Sequence, residues 1–571
     1  MRRPNNPKAR FLPLTRDRTL TEEPSIAWKA FRWRDEASGD DLLEVRFPAA
    51  GGGEGSAFLP ISVVDNPQRL VAGLRDKGAR LPMEKSARDA IIEDVIAGIP
   101  DHPGLQAARS GWHDGSFLFV EDPINGDPDK IRLRDDIALH APELGSAAGP
   151  LARWRANVAA PAAQSSYVSF AIMAALAPPL ARFGALDEGA IFNFHGISST
   201  GKTTALFAAL SVGGSAANLL DWNATDRGLH ERCAAHSDLP MILDDLERFR
   251  SDKGSRARSL SNRLHTITGG RSSSTSTVVR DHLPELNWLA WGLSSGPRSL
   301  REEFAQDRME PTIGDERRWI DICIPAAADG GVWDRIRPSQ PLRQLSERSE
   351  ALKVACRDYY GWPMRRWLRH LTSMNANLPG IVQGHINGFI ALAGPEDAGA
   401  DRSVMKKFGV VYAAGQMAVQ TGLLPWPPSL VTEACRDLLS SCALSSRRRD
   451  IALSQARSAL RAASCDVARV PFVRSGLPQF SEERNCDGFR QMRGGNEVLY
   501  LRRETIDRIC GMASDRIMRE LGTAGAVRRG QGGKQAVQMR VLMGGEETKM
   551  RFLAFSPELF LAALPVTPHA A

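Results

Sequence analysis

The sequence predicts an α/β fold whose core is a parallel sheet with flanking helices, built around a glycine-rich loop. The first observation is an apolar run at residues 191–194 that precedes the loop, with a helix-compatible segment at 204–212 after it. The second is a further apolar run, residues 239–243, that ends in two carboxylates. Near-continuous apolar strands separated by helical segments are typical of parallel sheets covered on both faces.

The loop has the form glycine, four free positions, glycine, lysine, threonine. Glycines let backbone N–H groups wrap a triphosphate where a Cβ would collide, and the positive end of the following helix points at the same anion. Lys202 would neutralise the β- and γ-phosphates, and Thr203 would ligate Mg²⁺. A glycine-rich surface turn is the alternative. The predicted contacts to ATP are Gly196, Ser198, Ser199, Thr200, Gly201, Lys202, Thr203 and Thr204.

Two carboxylates, Asp244 and Asp245, follow the second apolar run. A P-loop enzyme needs an acidic residue at the end of a neighbouring buried strand to hold its metal. We therefore expect Asp244 to hold Mg²⁺ through its water shell and Asp245 to orient and polarise the attacking water. Adjacent carboxylates also occur as helix caps or at solvated loop ends, which is the structural alternative.

Composition indicates a large protein with several hydrophobic cores. The chain has 571 residues, 43% of them hydrophobic and 24% charged, which suits about three or four domains. A formal charge of +7 favours an acidic polymer as partner, although solvated arginine faces give the same balance. Eight scattered cysteines without a C-x-x-C pair indicate neither a zinc ribbon nor a disulfide framework. The most apolar segment, residues 169–181, is too short to span a bilayer, so we expect a cytoplasmic protein without membrane contact.

Patterning along the chain suggests a succession of regions. A strand-like stretch at 42–47 and an amphipathic helix at 84–97 favour a small α/β or barrel-like N-terminal domain. A helix is predicted at 167–183, before the loop. A mostly helical stretch follows the nucleotide-binding part, and the chain ends in a helix, turn, helix and hairpin pattern typical of a winged helix. The predicted boundaries are 1–105, 106–335, 336–425 and 426–571.

Further segments of the chain extend the pattern beyond the loop. In order they are SGWHDG (110–115), HGISSTGKTTAL (195–206), DWNATDRGL (221–229), PMILDDL (240–246), WGLSSGPRSL (291–300), DERRWIDI (315–322), KKFGVVYAAGQMA (406–418) and CDGFR (486–490). With these segments the chain resembles the bacterial domain-of-unknown-function family numbered nine hundred and twenty-seven, which is carried by plasmids, prophages and other mobile elements. Some members of that family resemble MCM-like replicative helicases of the AAA+ class.

The resemblance implies a P-loop AAA+ ATPase core with a helical lid over residues 336–425. It also implies a polar residue that helps to place the attacking water, at the tip of the strand beside the acidic one, and Ser295 has that place. An arginine finger from a neighbouring subunit is implied just before an apolar strand, where Arg318 lies and Arg317 is the competitor. The alternative for Arg318 is a surface arginine paired with Asp315 or with the glutamate that follows it.

The chain departs from the family pattern in three places. Lys407, a nucleotide contact by resemblance, stands where the family tends to have an arginine before the phenylalanine of the lid helix. Pro297 and Arg298 stand where a glutamate is usual after the SSG turn. The acidic pair is Asp-Asp rather than Asp-Glu, which shortens the reach of Asp245 by one methylene. We therefore expect slow ATP hydrolysis.

Two segments are candidates for nucleic-acid contact. In hexameric helicases a loop between the acidic strand and the next strand tracks the DNA backbone, and here Arg271 and Arg280 bound a hydroxyl-rich stretch at that place. A flexible linker is the alternative. In the predicted winged helix, Arg528, Arg529 and Lys534 are the candidates for DNA contact, although winged helices also dock proteins.

These expectations combine into one functional hypothesis. The chain would be a mobile-element replicative helicase that assembles into a homo-oligomeric ring, a hexamer, and moves on DNA, single-stranded in the central channel, with ATP and Mg²⁺. The alternatives are a nucleotide-gated switch in plasmid control or phage defence, a DNA-binding regulator whose P-loop is structural, and a packaging motor. The absence of a nuclease-like acidic cluster after the ATPase part disfavours the last of these.

Overall fold

The structure is a computed structural model. The chain divides into two compact units, Met1–Ala393 with Lys406–Leu438 and Gly394–Met405 with Leu439–Ala571. The residues that the structure describes are 28–49, 52–120, 122–186, 188–251, 254–272, 285–336, 341–393, 399–442, 445–481, 487–510, 514–528 and 536–564.

The first part of the larger unit contains two sheets. Its elements are β1 (Lys29–Asp35), β2 (Asp41–Pro48), β3 (Glu54–Pro60), α1 (Pro67–Asp76), α2 (Lys85–Ala97), β4 (Gly104–Ala107), β5 (Gly111–His113), β6 (Ser116–Phe119), β7 (Asp122–Ile124), β8 (Ile131–Leu133) and α3 (Asp135–Ala138). One sheet has the order β3-β2-β1-β4-β8, and β5, β6 and β7 form an antiparallel sheet. Alternate residues of β2, Leu43, Val45 and Phe47, pack on Leu70 and Leu74 of α1. The predicted strand at 42–47 and helix at 84–97 are both present.

The segment SGWHDG, which contains β5, joins this part to the elements that follow. The backbone N–H of Trp112 donates to the carboxylate of Asp238 at 3.2 Å, and its indole N–H donates to the carbonyl of Pro179 at 2.8 Å. Gly111, at φ +100°, leaves no space for a Cβ, which would lie 2.2 Å from the same carboxylate. The segment therefore has a structural role at this join.

A parallel sheet forms the centre of the larger unit. The elements here are α4 (Leu151–Trp154), a π-helical turn (Arg155–Ala159), α5 (Ala160–Ala162), α6 (Ser166–Leu176), α7 (Pro178–Ala181), β9 (Ala190–His195), α8 (Lys202–Gly213), β10 (Leu220–Asp221), α9 (Asp226–Ala235), β11 (Pro240–Asp244), α10 (Arg256–Gly269), β12 (Trp291–Gly296), α11 (Leu300–Ala305), α12 (Ile313–Arg318) and β13 (Trp319–Cys323). The strand order is β10-β11-β12-β9-β13, with every neighbouring pair parallel. The mixed α/β fold with a parallel sheet is confirmed. All carboxyl ends of its strands consequently lie along one edge.

The helix predicted at 167–183 is broken. It ends as α6 at Leu176, and α7 begins at Pro178, because two consecutive prolines remove backbone donors and their rings clash with the preceding turn. Among the described residues no single helix is long and apolar enough to cross a bilayer, whereas Ser166–Leu176 and Pro178–Gly184, bent by 60°, meet those criteria only as a pair.

A run of helices follows the parallel sheet. These are α13 (Leu342–Asp358), α14 (Trp362–Ser373), α15 (Leu378–Ala393), α16 (Gly399–Gln420) and α17 (Pro428–Ser441). Helix α16 is attached to the parallel sheet through Phe408, whose ring lies 5.2 Å from that of Phe170 in α6 and 5.5 Å from that of Phe192 in β9. Short 3₁₀ turns occur at Ile61–Asp65, Arg182–Gly184, Ala216–Asn218, Leu246–Arg248, Ala327–Asp329 and Asn375–Asn377.

The smaller unit contains a mixed sheet with helices. Its elements are α18 (Ser445–Cys465), β14 (Phe472–Val473), β15 (Gln479–Phe480), β16 (Gly488–Arg493), β17 (Asn496–Leu501), α19 (Arg503–Cys510), α20 (Ser514–Thr523), β18 (Val527–Arg528), β19 (Ala536–Met543), β20 (Glu546–Phe555) and α21 (Pro557–Ala563). The sheet has the order β14-β16-β17-β20-β19-β15, and β18 pairs with β20. A helix and a strand of the helix, turn, helix and hairpin pattern predicted for this end are present as α20 and β19. The winged-helix interpretation of this end stays a prediction.

Candidate functional site

The loop between β9 and α8 leaves no room for side chains at its two glycines. Gly196 has φ +147°, and a Cβ there would lie 2.7 Å from the carbonyl oxygen of Ile324. Gly201 has φ +95°, and a Cβ there would lie 2.4 Å from Cγ1 of Val332. Both the backbone conformation and the surrounding space therefore require glycine.

Helix α8 begins directly after the loop. Its N-cap, Gly201, has no side chain, so the N–H groups of the first turn receive no hydrogen bond from the N-cap residue. Lys202 Nζ donates to the carbonyl oxygens of Gly196 and Ile197, each at 2.7 Å. Burial lowers the pKa of Lys202, and the charges of the acidic pair at the end of β11 oppose this shift. The lysine and the acidic pair are therefore within electrostatic reach of each other.

The remaining loop residues differ in how much of their side chains a ligand could reach. Ser198 and Ser199 are exposed, and Thr203 is half-buried at the start of α8. Thr200 and Thr204 are only 3% and 1% exposed. The Thr200 hydroxyl donates to a carbonyl within the loop at 3.1 Å. The predicted contacts of these two threonines are consequently limited to their backbone groups, whereas the Thr203 hydroxyl remains suited to a metal.

The acidic pair lies at the carboxyl end of β11, as predicted. The Asp244 carboxylate accepts a hydrogen bond from the Ser295 hydroxyl and another from the backbone N–H of Asp245 at 2.9 Å. Asp245 is in the left-handed region at φ +55°, a conformation that occurs in non-glycine residues mainly where neighbouring structure holds it. Its carboxylate pairs with Nε of Arg248 at 2.9 Å. The two carboxylates thus have different partners and point to different roles.

Ser295 lies at the end of β12, the strand between β11 and β9, where it meets Asp244. The next polar pair in the sheet was not predicted: Asn193 of β9 donates through Nδ2 to the Asp321 carboxylate of β13 at 2.9 Å. Asp321 also accepts from the backbone N–H of Leu300 at 2.9 Å, which fixes the loop after Ser295 to the sheet. Desolvation raises the pKa of Asp321. The sequence did contain a signal for this pair, because Asp321 is an acidic residue inside the otherwise apolar strand β13.

A second charged cluster lies at the amino edge of the same sheet. Glu188, just before β9, accepts from Arg317 at 3.0 Å and from Arg318 at 2.8 Å through one oxygen, and contacts Lys407 Nζ at 3.1 Å through the other. Lys407 also donates to the carbonyl of Arg317 at 2.6 Å. Because β9 has six residues, this cluster lies about 20 Å from the P-loop of its own chain, at roughly 3.3 Å per residue.

Lys407, which is predicted to contact nucleotide, lies in the arginine cluster of its own chain and not beside its P-loop. Its side chain is fully buried between Glu188 and the backbone of Arg317, at the opposite edge of the sheet from the P-loop. Neither Asp315 nor Glu316 forms the main ion pair of Arg318. Asp315 accepts from Thr312 and Ser261, and Glu316 pairs with Arg301. Glu188 was not predicted, because an acidic residue in a turn before a strand is typical of a solvated surface.

Residues 68–271 match the model of the family DUF927, a domain of unknown function. The chain carries a DUF927 domain. The DUF927 match includes the P-loop and the acidic pair, whereas Ser295, Arg318 and Lys407 lie beyond it. No curated protein sequence matches the chain.

The chain is also similar to a solved structure of the SCCmec type IV Cch active helicase. The likeness covers 95% of this chain and 94% of the other, with a TM-score of 0.58 and 13% sequence identity. At this identity the likeness shows a shared fold. It extends well past the DUF927 domain, over both the parallel sheet and the C-terminal elements.

The candidate nucleic-acid residues are only partly described. Arg271, the last residue of the DUF927 match, pairs in antiparallel fashion with Asn287, and the N–H of Ser272 donates to the carbonyl of Leu286 at 2.9 Å. Arg280 lies outside the described residues. Arg528 lies in β18 beside Ala554 of β20. Arg529 and Lys534 also lie outside the described residues.

Proposed function

We propose that the chain is an ATP hydrolase of a mobile genetic element that moves on DNA as a helicase or translocase. The observation that carries the proposal is the convergence of the P-loop, the acidic pair and Ser295 at the carboxyl edge of one parallel sheet, where nucleotide ligands of α/β folds bind. The likeness in fold to a helicase of a mobile element supports the proposal that this chain is a motor on DNA. An AAA+ core with a helical lid accounts for the order of these elements.

The residues at this edge fit a magnesium–nucleotide complex. The uncapped start of α8 and the glycines of the loop provide N–H groups for the phosphates, and Lys202 provides the positive charge. Thr203 and Asp244 are the ligands we propose for Mg²⁺, the second acting through water. The metal would neutralise charge on the β- and γ-phosphates.

The chemistry of hydrolysis is assigned to the neighbouring carboxylate. Asp245 accepts the hydrogen bond that orients the attacking water, as a general base placed beside the metal ligand. Ser295 donates to Asp244 and so holds that carboxylate in place while leaving Asp245 to the water. The weak, exposed Asp245–Arg248 ion pair competes with the water for this carboxylate, which fits a slow basal rate.

The arginines define the expected assembly. Arg317 and Arg318 lie about 20 Å from the P-loop of their own chain, by the length of β9 at roughly 3.3 Å per residue. A guanidinium that stabilises transition-state charge at the P-loop must therefore come from another copy. We propose a closed homo-oligomeric ring, a hexamer, with single-stranded DNA in its channel and Arg271 at the base of the channel loop.

The experiment that tests the proposal is ATP hydrolysis by the purified protein with and without single-stranded DNA. Wild-type hydrolysis that DNA stimulates, and that Lys202→Ala reduces by about 10²-fold or more, is the expected result. Hydrolysis that Lys202→Ala leaves unchanged would contradict the assignment of the site.

A nucleotide-gated regulatory or defence switch is the second candidate. The pairing of Asp245 with Arg248 favours it, because a restrained carboxylate suits a protein that holds ATP for long periods. A switch would bind ATP and DNA, and hydrolysis would be indifferent to DNA. Strand displacement on a forked DNA substrate separates the two candidates, since only a motor unwinds it.

A further inference from the structure

We infer that Glu188 and Lys407 are positioning residues that hold Arg317 and Arg318 of one copy toward the nucleotide bound by the next copy. The inference rests on the proposed ring ATPase and adds two residues that do not touch the nucleotide. Their role follows from the way in which one carboxylate and one ammonium fix both guanidinium groups at the amino edge of the sheet.

The geometry makes Glu188 the centre of the cluster. Its Oε2 accepts from Arg317 at 3.0 Å and from Arg318 at 2.8 Å, and its Oε1 contacts Lys407 at 3.1 Å. Gly314, one turn before Arg318, accepts a further bond from the Arg318 guanidinium at 3.0 Å. Charge-assisted bonds of this kind restrict long arginine side chains to few orientations. The cluster therefore holds the two guanidinium groups in fixed orientations, unlike arginines that are free in solvent.

Exposure separates the residues that can reach a partner from those that cannot. The Arg317 side chain is 42% exposed, Arg318 is 14% exposed and Lys407 is 0% exposed. Lys407 has no surface to offer an incoming ligand. It acts through Arg317, whose carbonyl it binds, and through Glu188. The ring of Phe408, packed on β9 and α6, fixes the helix turn that carries Lys407.

The charge balance points to an anion as the missing partner. The Glu188 carboxylate contacts three cations, and Asp315 adds a weaker attraction for Arg318 alone. The Nε atoms of both arginines are buried without hydrogen-bond partners among the described residues. Excess positive charge is costly where it is even partly buried, as it is at Arg318 and Lys407, unless it is compensated. The triphosphate held by a second copy supplies that compensation, and it supplies most when charge accumulates during hydrolysis.

The first test is Glu188→Gln, which keeps the shape and removes the charge. We expect kcat for ATP to fall by about 10²-fold, because misplaced groups lose catalysis steeply, while KM for ATP stays within about twofold, because the P-loop of the same chain is intact. Glu433→Gln is the matched control: this carboxylate also pairs with an arginine, Arg335 at 2.8 Å, but is 48% exposed. It should retain wild-type rates. Equal kcat for Glu188→Gln and wild type would overturn the inference.

Mixed subunits distinguish positioning in trans from a folding defect. Glu188→Gln chains have an intact P-loop, and Lys202→Ala chains have an intact arginine cluster. Their mixture should hydrolyse ATP faster than the sum of the two separate proteins. Glu188→Gln mixed with the double variant Arg317→Ala/Arg318→Ala should show no such gain. A gain in the second mixture, or none in the first, contradicts the inference, whereas an inactive wild type would contradict the proposed function itself.

A second variant, Lys407→Met, tests the positioning role of the lysine through the pH dependence of kcat. Burial lowers the pKa of Lys407 to about 8, with Glu188 raising it and Arg317 and Arg318 lowering it further. As pH rises through this value Lys407 loses its proton and its attraction for Glu188 weakens. We expect kcat of the wild type to decline by about tenfold as the pH rises through this range. Lys407→Met should have a lower kcat at low pH and should not show this decline. Parallel pH profiles would contradict a positioning role for Lys407.

Discussion

The two edges of the parallel sheet differ in what they offer a nucleotide. The carboxyl edge has a bare glycine loop, a helix start without a side-chain cap and two carboxylates. The amino edge has two arginines and a buried lysine around one glutamate. The first edge has the groups to which we assign phosphate and metal binding, and the second offers cations without a glycine loop.

If the proposed function holds, the difference means that one chain does not contain a complete site. Six residues of β9 separate the two edges, so neither can serve the other within one subunit. A copy that presents its amino edge to the carboxyl edge of the next would complete both. Variants at the amino edge should therefore change the rate of hydrolysis, and variants of the P-loop should change nucleotide binding as well.

The largest expected effect comes from removing both arginines. In Arg317→Ala/Arg318→Ala, kcat should fall by about 10³-fold or more, since an arginine finger contributes on that scale. ATP affinity, measured with a fluorescent analogue, should stay near wild type because the P-loop is untouched. Arg343→Ala, at a residue 89% exposed that pairs with Glu347, is the control and should be active. Loss of ATP affinity in the double variant would contradict the claim that the carboxyl edge binds ATP without the arginines of the amino edge.

Asp245→Asn should have the next largest effect. Loss of the carboxylate that orients water should lower kcat by about 10²-fold, and ATP should still bind because Lys202 and Asp244 remain. Single-turnover hydrolysis separates chemistry from release. Glu247→Gln, two residues along and 63% exposed, is the control. A variant with wild-type kcat would mean that another group orients the water.

Ser295→Ala should have a moderate effect. The hydroxyl donates to the Asp244 carboxylate, and a hydrogen bond to a charged group of this kind corresponds to about tenfold in rate. The apparent affinity for Mg²⁺ should weaken along with kcat, as a magnesium titration of hydrolysis would detect. Ser294→Ala removes the neighbouring hydroxyl, which faces Trp222 instead, and should leave the magnesium dependence unchanged.

The smallest expected effect is an increase. Arg248→Ala frees the Asp245 carboxylate, and because the arginine is 73% exposed the pair is weak, so hydrolysis without DNA should rise by only about two- to fivefold. Stimulation by DNA should shrink by a similar factor. A lower rate in this variant would show that Arg248 supports catalysis rather than restraining Asp245.

Local patterns were enough to predict the carboxyl edge. The P-loop, the acidic pair and the strand bearing Ser295 follow from glycine spacing and from apolar runs that end in polar residues, and each is where it was expected. The sheet that brings them together follows from alternating strands and helices. The break of the helix at Pro178 was also readable from the sequence, since consecutive prolines seldom continue a helix.

The amino edge depends on packing between distant parts of the chain. Lys407 lies on a helix far along the sequence, and only the contacts of Phe408 with β9 and α6 bring it to Glu188. Resemblance therefore assigned Lys407 to the nucleotide, whereas in the structure it contacts Glu188 and the carbonyl of Arg317. The hydrogen bond between Asn193 and Asp321 was not predicted for a related reason, because it depends on the register between β13 and β9.

Hydrolysis by mixed subunits tests the central claim most directly. Lys202→Ala and Arg317→Ala/Arg318→Ala should each be almost inactive alone, and an equal mixture, exchanged in the presence of single-stranded DNA, should regain ATP hydrolysis well above the sum of the two. Recovery means that one copy supplies the P-loop and its neighbour the arginines. A mixture no more active than its parts would contradict a site shared between the two edges of neighbouring copies.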